Sequence, residues 1–164
     1  MNVYITGFLA LFVAAALLAA GCKKSNSSSP TVTATINGTG WAANIPETGA
    51  LITTTGQLVV GGIQFKHGDS TGFTLTFSST ANFGQPMVST GPGSSIDVGY
   101  VDFGTKTAYD GGVTAGRSTI TVTSYDSAGG KVAGSFSGVL YNTSGGSDSL
   151  TVANGLFNAT FVKY

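Results

Sequence analysis

The strongest constraint on the fold is an alternation of apolar residues with threonine and serine. It begins at Thr31 and continues, interrupted by glycines, to Tyr164. A period of two residues places apolar side chains on one face of an extended strand, whereas a helix requires them three and four positions apart. After residue 21, no long glycine-free stretch has the helical spacing. The sequence therefore predicts an all-β fold.

The first part of this pattern predicts a β-hairpin. Apolar residues alternate with threonines as far as Ile36, and the dipeptide Asn37-Gly38, which strongly favours a two-residue turn, follows. Such a turn pairs Ala34 with Trp41, so the two residues share a face and Trp41 should be buried over the small alanine. An exposed Trp41 that stacks on a sugar ring is the alternative.

The same criteria predict seven further strands, near residues 51–54, 57–65, 73–77, 96–100, 119–125, 131–141 and 150–161. About eight to ten strands, with turns about every 8–12 residues, are typical of an antiparallel β-sandwich, and a partly closed β-barrel is the alternative. The length of residues 31–164 fits a single β domain.

Several glycines interrupt this alternation. The parity of the apolar residues changes at Gly61-Gly62 and again at Asn154-Gly155, which predicts a β-bulge at each place. Gly134 and Gly138 flank Phe136 on one strand face, where they leave room for a bulky neighbour.

The N-terminal segment is apolar and ends at the only cysteine of the chain. Every residue from Phe8 to Ala20 is apolar, a length that suits a signal peptide and is short for a membrane span. The sequence Leu18-Ala19-Ala20-Gly21-Cys22 resembles the lipobox of bacterial lipoproteins. This resemblance implies that residues 1–21 are removed as a signal peptide and that Cys22 is acylated.

A tether should then connect the lipid to the domain. Residues 22–30 contain the acylated Cys22 and a flexible serine-rich segment, and eight such residues span roughly 16 Å root-mean-square. An uncleaved span over about Val3 to Gly21 is the alternative, since the first seven residues contain no Lys or Arg and Lys23-Lys24 follows the apolar run.

Composition excludes several classes of function. The net charge is zero and only 9% of the residues are charged, against about 25% in typical domains, so the chain has no electrostatic basis for binding nucleic acid. With one cysteine, already assigned to the lipid, the domain has no disulfide and no zinc–thiolate site.

Few residues suggest catalysis. His67 is the only histidine and precedes Asp69 by two residues, but two ligands do not complete a metal site. A nucleophilic triad is also incomplete, because the chain has no second histidine and no free cysteine. Asp97 and Asp102 are an odd number of residues apart and so face opposite sides of one regular strand. The sequence predicts no catalytic residue, metal or cofactor, and an enzyme with dispersed aspartates stays a third hypothesis.

The longest turn-rich segment, residues 81–95, contains Phe83 and Met87. Long loops on a rigid sheet often bind ligands, although a packed connection between sheets is the ordinary explanation. Trp41, Phe83 and Met87 are therefore the candidate ligand-binding residues.

Three tripeptides resemble the Asp-Ser/Thr-aliphatic acceptor motif for O-glycosylation in Bacteroidota: Asp69-Ser70-Thr71, Asp126-Ser127-Ala128 and Asp148-Ser149-Leu150. The candidate acceptors are Ser70, Ser127 and Ser149, each directly after an aspartate at a predicted turn. The alternative is turn chemistry, because Asp and Ser form local hydrogen bonds that favour turns.

Four segments together carry a wider resemblance: Thr33–Trp41, Ile120–Asp126, Gly130–Phe136 and Val152–Phe157. They are similar to a family of uncharacterised small lipoproteins of Bacteroidota. The resemblance implies a compact antiparallel β domain outside the cytoplasm, and it carries over no catalytic residue.

These observations favour an outer-membrane lipoprotein that faces the periplasm or the cell surface. Its partners would be the lipid bilayer, through acylated Cys22, and a glycan or protein ligand bound without catalysis. The alternative is a carrier of small apolar ligands in a β-barrel. In a carrier, five phenylalanines would line a cavity instead of filling a core: Phe73, Phe77, Phe136, Phe157 and Phe161.

Overall fold

The computed structural model describes residues 31–44, 49–80, 82–113 and 115–163. The predicted signal peptide (residues 1–21), the acylation site Cys22 and the predicted tether (residues 22–30) lie outside these residues.

The described residues form an all-β fold of eleven strands. These are β1 (Thr31–Ile36), β2 (Thr39–Ala42), β3 (Gly49–Ile52), β4 (Gln57–Lys66), β5 (Asp69–Ser78), β6 (Met87–Val88), β7 (Asp97–Asp102), β8 (Thr107–Asp110), β9 (Arg117–Asp126), β10 (Lys131–Asn142) and β11 (Ser149–Lys163). The sequence pattern does not predict β6, which has only two residues, or β8, whose sequence Thr-Ala-Tyr-Asp does not alternate apolar with polar residues. The count is therefore eleven instead of eight to ten.

The strands form one sheet in the order β2-β1-β11-β3-β4-β5-β7-β8-β10-β9-β6, and a further pairing of β10 with β11 closes a ring of seven strands. All pairs are antiparallel except β11 with β3, which is parallel. The predicted antiparallel β-sandwich is therefore confirmed, and this one pair makes the sheet mixed. Long β11 reaches it by running on past its partner β1, since Phe161 to Lys163 pair with β3.

Two faces of this sheet pack together as a β-sandwich. Strand β5 has no hydrogen-bonded pairing with β10 or β11, yet the ring centroids of Phe73 and Phe136 are 5.3 Å apart, and those of Phe77 and Phe157 are 5.8 Å apart. These four rings and Phe161 are all buried. The five phenylalanines that a carrier would use as a cavity wall thus belong to the hydrophobic core.

The first hairpin is confirmed. Ala34 pairs with Trp41 across a turn in which Asn37 and Gly38 have φ angles of 47° and 83°. Trp41 is only 6% exposed, packs edge-on against Phe73, and its Nε1–H donates to Thr71 Oγ1 at 2.8 Å. The turn chemistry therefore fixes which face of β2 enters the core.

On the paired strands β10 and β11, each of two phenylalanines lies opposite a glycine of the other strand. Gly134 pairs with Phe157, and Phe136 pairs with Gly155, so each ring lies over a glycine on the neighbouring strand. A Cβ atom on Gly155 would lie 2.6 Å from Phe136 Cδ1, and one on Gly134 would lie 2.6 Å from Phe157 Cζ. The register shifts beside Gly155, which confirms the bulge predicted at Asn154-Gly155.

The bulge predicted at Gly61-Gly62 is wrong. Strand β4 pairs with β5 in an unbroken register from Gln57 to Lys66. Gly62 is instead a point of close approach, because a Cβ there would lie 2.9 Å from the Cβ of Val32 in β1. With the register unbroken, Phe65 points to the outside of the sandwich and is 53% exposed.

Candidate functional site

A shallow groove of about 540 Å³ crosses the outer surface of β9, β10 and β11. We call it the outer groove and define it by the outward-facing residues Thr119, Thr121, Ser135, Ser137, Asn154 and Leu156. Core residues alternate with these side chains along each strand, as the period of two requires. The same alternation that builds the core therefore builds the groove.

Strand register aligns the groove residues into a row. Ser135 lies opposite Thr121 on one side and opposite Leu156 on the other, and Leu156 lies opposite Thr33 of β1. Directly opposed side chains have Cβ atoms about 4.5–5.5 Å apart. The row thus places two hydroxyl groups, an apolar side chain and a third hydroxyl at nearly regular intervals.

The bulge at Asn154-Gly155 decides what faces this row. Asn154 has a φ of 51° and is exposed, and the following residues return to the alternation one position out of phase. Phe157 then enters the core and Leu156 faces solvent, where it is 59% exposed. A leucine in this row is the direct consequence of the extra residue in β11.

Hydroxyl groups, an amide and apolar groups together line the outer groove. Among the described residues, no partner accepts from or donates to the side chains of Thr119, Thr121, Ser135, Ser137 or Asn154. No acidic or basic side chain of the described ranges lines it. A hydroxyl group donates one hydrogen bond and accepts two, so the groove offers a bound molecule several neutral donors and acceptors around one apolar side chain.

The three predicted ligand-binding residues do not form one site. Trp41 is buried against Phe73, without the exposed ring face that sugar stacking requires. Met87 pairs with Ile120 and packs against the core. Phe83 is 44% exposed and stacks on Tyr125. The sequence pattern did not predict the outer groove. Its one indication was that Leu156 directly precedes Phe157, so that one of the two large apolar residues must face outward.

Pairing of β7 with β8 brings two aspartates together. Asp97 and Asp110 lie side by side, and the backbone N–H of Gly112 donates to Asp110 Oδ1 at 2.5 Å. Burial, and then the negative charge of Asp110, raise the pKa of Asp97 to about 7. Asp102 lies elsewhere and accepts a hydrogen bond from the backbone of Thr105. The pair therefore comes from neighbouring strands, which the analysis of a single strand could not detect.

Other titratable residues have structural surroundings. His67 occupies the β4–β5 turn with a φ of 54°, followed by Gly68 at 90°. The Tyr109 hydroxyl donates to Asp148 Oδ2 at 2.7 Å, and this hydrogen bond raises the pKa of Tyr109 to about 12. Within the described ranges, no group of three or more His, Cys, Asp or Glu side chains could hold a metal ion.

The candidate glycosylation sites differ in accessibility. Ser127 is exposed in the β9–β10 turn, where Asp126 Oδ1 accepts from the backbone N–H groups of Ala128 and Gly129. Ser70 and Ser149 are half-buried near the starts of β5 and β11, so their predicted position in turns is wrong. Of the three hydroxyl groups, that of Ser127 is the most open to a modifying enzyme.

Comparison with protein-family models, curated proteins and solved structures finds no match to this chain. In the part of the chain that the structure describes, no helix is long and apolar enough to cross a membrane. The function must therefore be argued from the outer groove and the sequence.

Proposed function

We propose that this chain is a membrane-anchored extracytoplasmic lipoprotein, a non-catalytic module of the cell envelope that binds a neutral glycan in its outer groove. Acylated Cys22 would hold it to the bilayer. The observation that carries the binding proposal is the groove itself, with its unpaired hydroxyl groups, the Asn154 amide and exposed Leu156.

The chemistry of the groove matches that of a polysaccharide. A sugar ring presents hydroxyl groups around its edge and C–H groups on its faces. Ser135 and Thr121 would exchange hydrogen bonds with the edge, and Leu156 would pack against a face. Each hydrogen bond replaces one to water and gains only about 0.5–1.5 kcal/mol, so we expect weak binding that depends on several contacts.

The absence of charge from the groove lining narrows the ligand class. A neutral groove gives no compensation for desolvating a uronic acid or a sulfated sugar. We therefore expect a neutral glycan in preference to an acidic one, and binding that changes little with salt.

Binding is tested with the full mature chain in detergent, by affinity electrophoresis in neutral polysaccharides (glucan, mannan and xylan) and in polygalacturonate. We expect retardation in at least one neutral polymer. A variant carrying Thr121→Val and Ser135→Ala should weaken it about tenfold, since two hydrogen bonds are lost. Ser127→Ala, in the β9–β10 turn, is the matched control and should bind normally. Retardation only in polygalacturonate, or equal binding by the double variant, would contradict the proposal.

The anchor is tested by replacing Cys22 with alanine. We expect most of the protein to leave the membrane fraction, because stable attachment requires two or more acyl chains and this variant accepts none. Ser25→Ala in the tether should leave the distribution unchanged. A Cys22→Ala chain that stays in the membrane with residues 1–21 attached would instead indicate the uncleaved span.

A further inference from the structure

The topology identifies the end of the sandwich from which the chain enters the domain. Strand β1 is antiparallel to β11 and begins with Thr31 opposite Asn158, so the chain arrives from the end towards which β11 runs. Strand β10 begins at this same end, with Lys131 opposite Thr160. The β9–β10 turn therefore lies there too. We call this the anchor end.

Phe83 lies at the anchor end as the outermost ring of an aromatic stack. Its ring is 4.9 Å from that of Tyr125, at an interplanar angle of 22°, and Tyr125 is 5.3 Å from Phe161, at 6°. Phe161 is buried, Tyr125 is half-buried and Phe83 is exposed. The three rings thus lead from the core to solvent.

The backbone holds Phe83 in this exposed position. The N–H of Gly84 donates to the carbonyl oxygen of Val122 in β9 at 2.8 Å, which fixes the segment against the sheet. This backbone contact and the stacking on Tyr125 together hold the ring at the surface of the sandwich. Its exposure is a built feature of this end.

The charged residues described near the aromatic stack are few and of both signs. Asp126 and Lys131 lie opposite each other across the ladder, and Lys163 ends β11. The β3–β4 turn at the same end, residues 53–56, contains three threonines and a glycine. Hydroxyl-rich turns around an exposed aromatic ring suit the headgroup level of a bilayer.

The length of the preceding chain brings this end to the membrane. Eight residues separate Cys22 from Thr31, and a flexible serine-rich chain of that length would span roughly 16 Å root-mean-square. A contact between the anchor end and lipid is therefore intramolecular, with the high effective concentration of a short linker. A contact too weak to hold a free domain at the bilayer should therefore form most of the time in the anchored protein.

From this arrangement we propose that the anchor end rests on the phospholipid bilayer and that Phe83 inserts into its interface. The inference rests on the acylation of Cys22 proposed above. It adds an orientation: the domain stands on one end, and the outer groove, on the side of the sandwich, stays open to the surroundings. Phe65 provides an internal control, because it is at least as exposed as Phe83 but lies near the end of β4, at the opposite end of the sandwich.

The test places a tryptophan at one or the other end of the sandwich, in the acylated mature chain. Phe83→Trp and Phe65→Trp are each made together with Trp41→Phe, which removes the natural fluorophore and keeps a ring against Phe73. Each chain is reconstituted on phosphatidylcholine vesicles brominated near the headgroup end of the acyl chains, and flotation is measured with fluorescence. An inserted ring lies about 5–10 Å into the headgroup–acyl boundary, so we expect bromine to quench the Phe83→Trp chain about twofold. The Phe65→Trp chain should be unaffected.

The outcomes separate the two proposals. Chains that float with the vesicles but are quenched equally, or not at all, would overturn the insertion of Phe83 and leave the anchor intact. Chains that do not float would overturn the anchor and the orientation with it. Should a variant fail to fold, hydrogen exchange on the unaltered acylated chain decides: vesicles should slow the amide of Gly84 and leave the β4–β5 turn unchanged, and equal exchange in both would overturn the inference.

Discussion

The free energy of unfolding should fall as the pH rises from about 4 to about 7, and Asp97→Asn should remove most of this dependence. The pKa of Asp97 rises from 3.8 to about 7 in the folded protein, first through burial and then through the charge of Asp110. Between these values the folded state binds a proton that the unfolded state has released. Stability is therefore highest below the unfolded pKa and falls until the pH passes the folded pKa.

The expected size of this effect is a few kcal/mol, since each unit of pKa shift corresponds to about 1.4 kcal/mol. An asparagine at position 97 has nearly the same shape and no charge at any pH. Urea unfolding across the window measures the slope, and Asp126→Asn, at an exposed aspartate that ends β9, should retain the slope of the natural protein. A natural protein whose stability is constant or increases over this window would show that the pKa of Asp97 is not raised in the folded state.

Local sequence signals predicted the parts of the fold that depend on neighbouring residues. The pairing of Ala34 with Trp41 followed from the two turn residues between their strands. The bulge at Asn154-Gly155 followed from a change in apolar parity. The same signal failed at Gly61-Gly62, where the register is unbroken and Phe65 faces solvent. A parity change therefore indicates either a bulge or an apolar residue on the outside.

Features that depend on distant strands could not be predicted in this way. The parallel pairing of β11 with β3 joins segments about a hundred residues apart, and nothing in either segment specifies the partner. The approach of Asp97 to Asp110 requires β7 to pair with β8, a strand whose sequence shows no alternation of apolar and polar residues. The outer groove likewise depends on how β9, β10 and β11 align. Its residues each look like ordinary solvent-facing positions of a strand.

Gly155→Ala should destabilise the fold by about 3 kcal/mol, the upper part of the usual range for overpacking. The new methyl group would meet both the ring and the backbone carbonyl oxygen of Phe136, and the carbonyl belongs to a central strand that cannot withdraw. Urea unfolding measures the loss. Gly40→Ala is the matched control, because Gly40 also lies in a strand but has no atom within 4 Å of the added carbon.

A second substitution separates the two contacts that cause this loss. Phe136→Leu replaces the ring with a smaller side chain and should relieve part of the clash in Gly155→Ala. The losses of unfolding free energy from the two changes should therefore be less than additive. Strictly additive losses would mean that the ring of Phe136 does not occupy the space above Gly155.

Gly155 also affects the proposed binding surface, because the bulge beside it turns Leu156 outward and exposes Asn154. Any loss of glycan binding in the Gly155→Ala chain would therefore reflect a displaced groove, whereas Thr121→Val with Ser135→Ala removes contacts from an intact one.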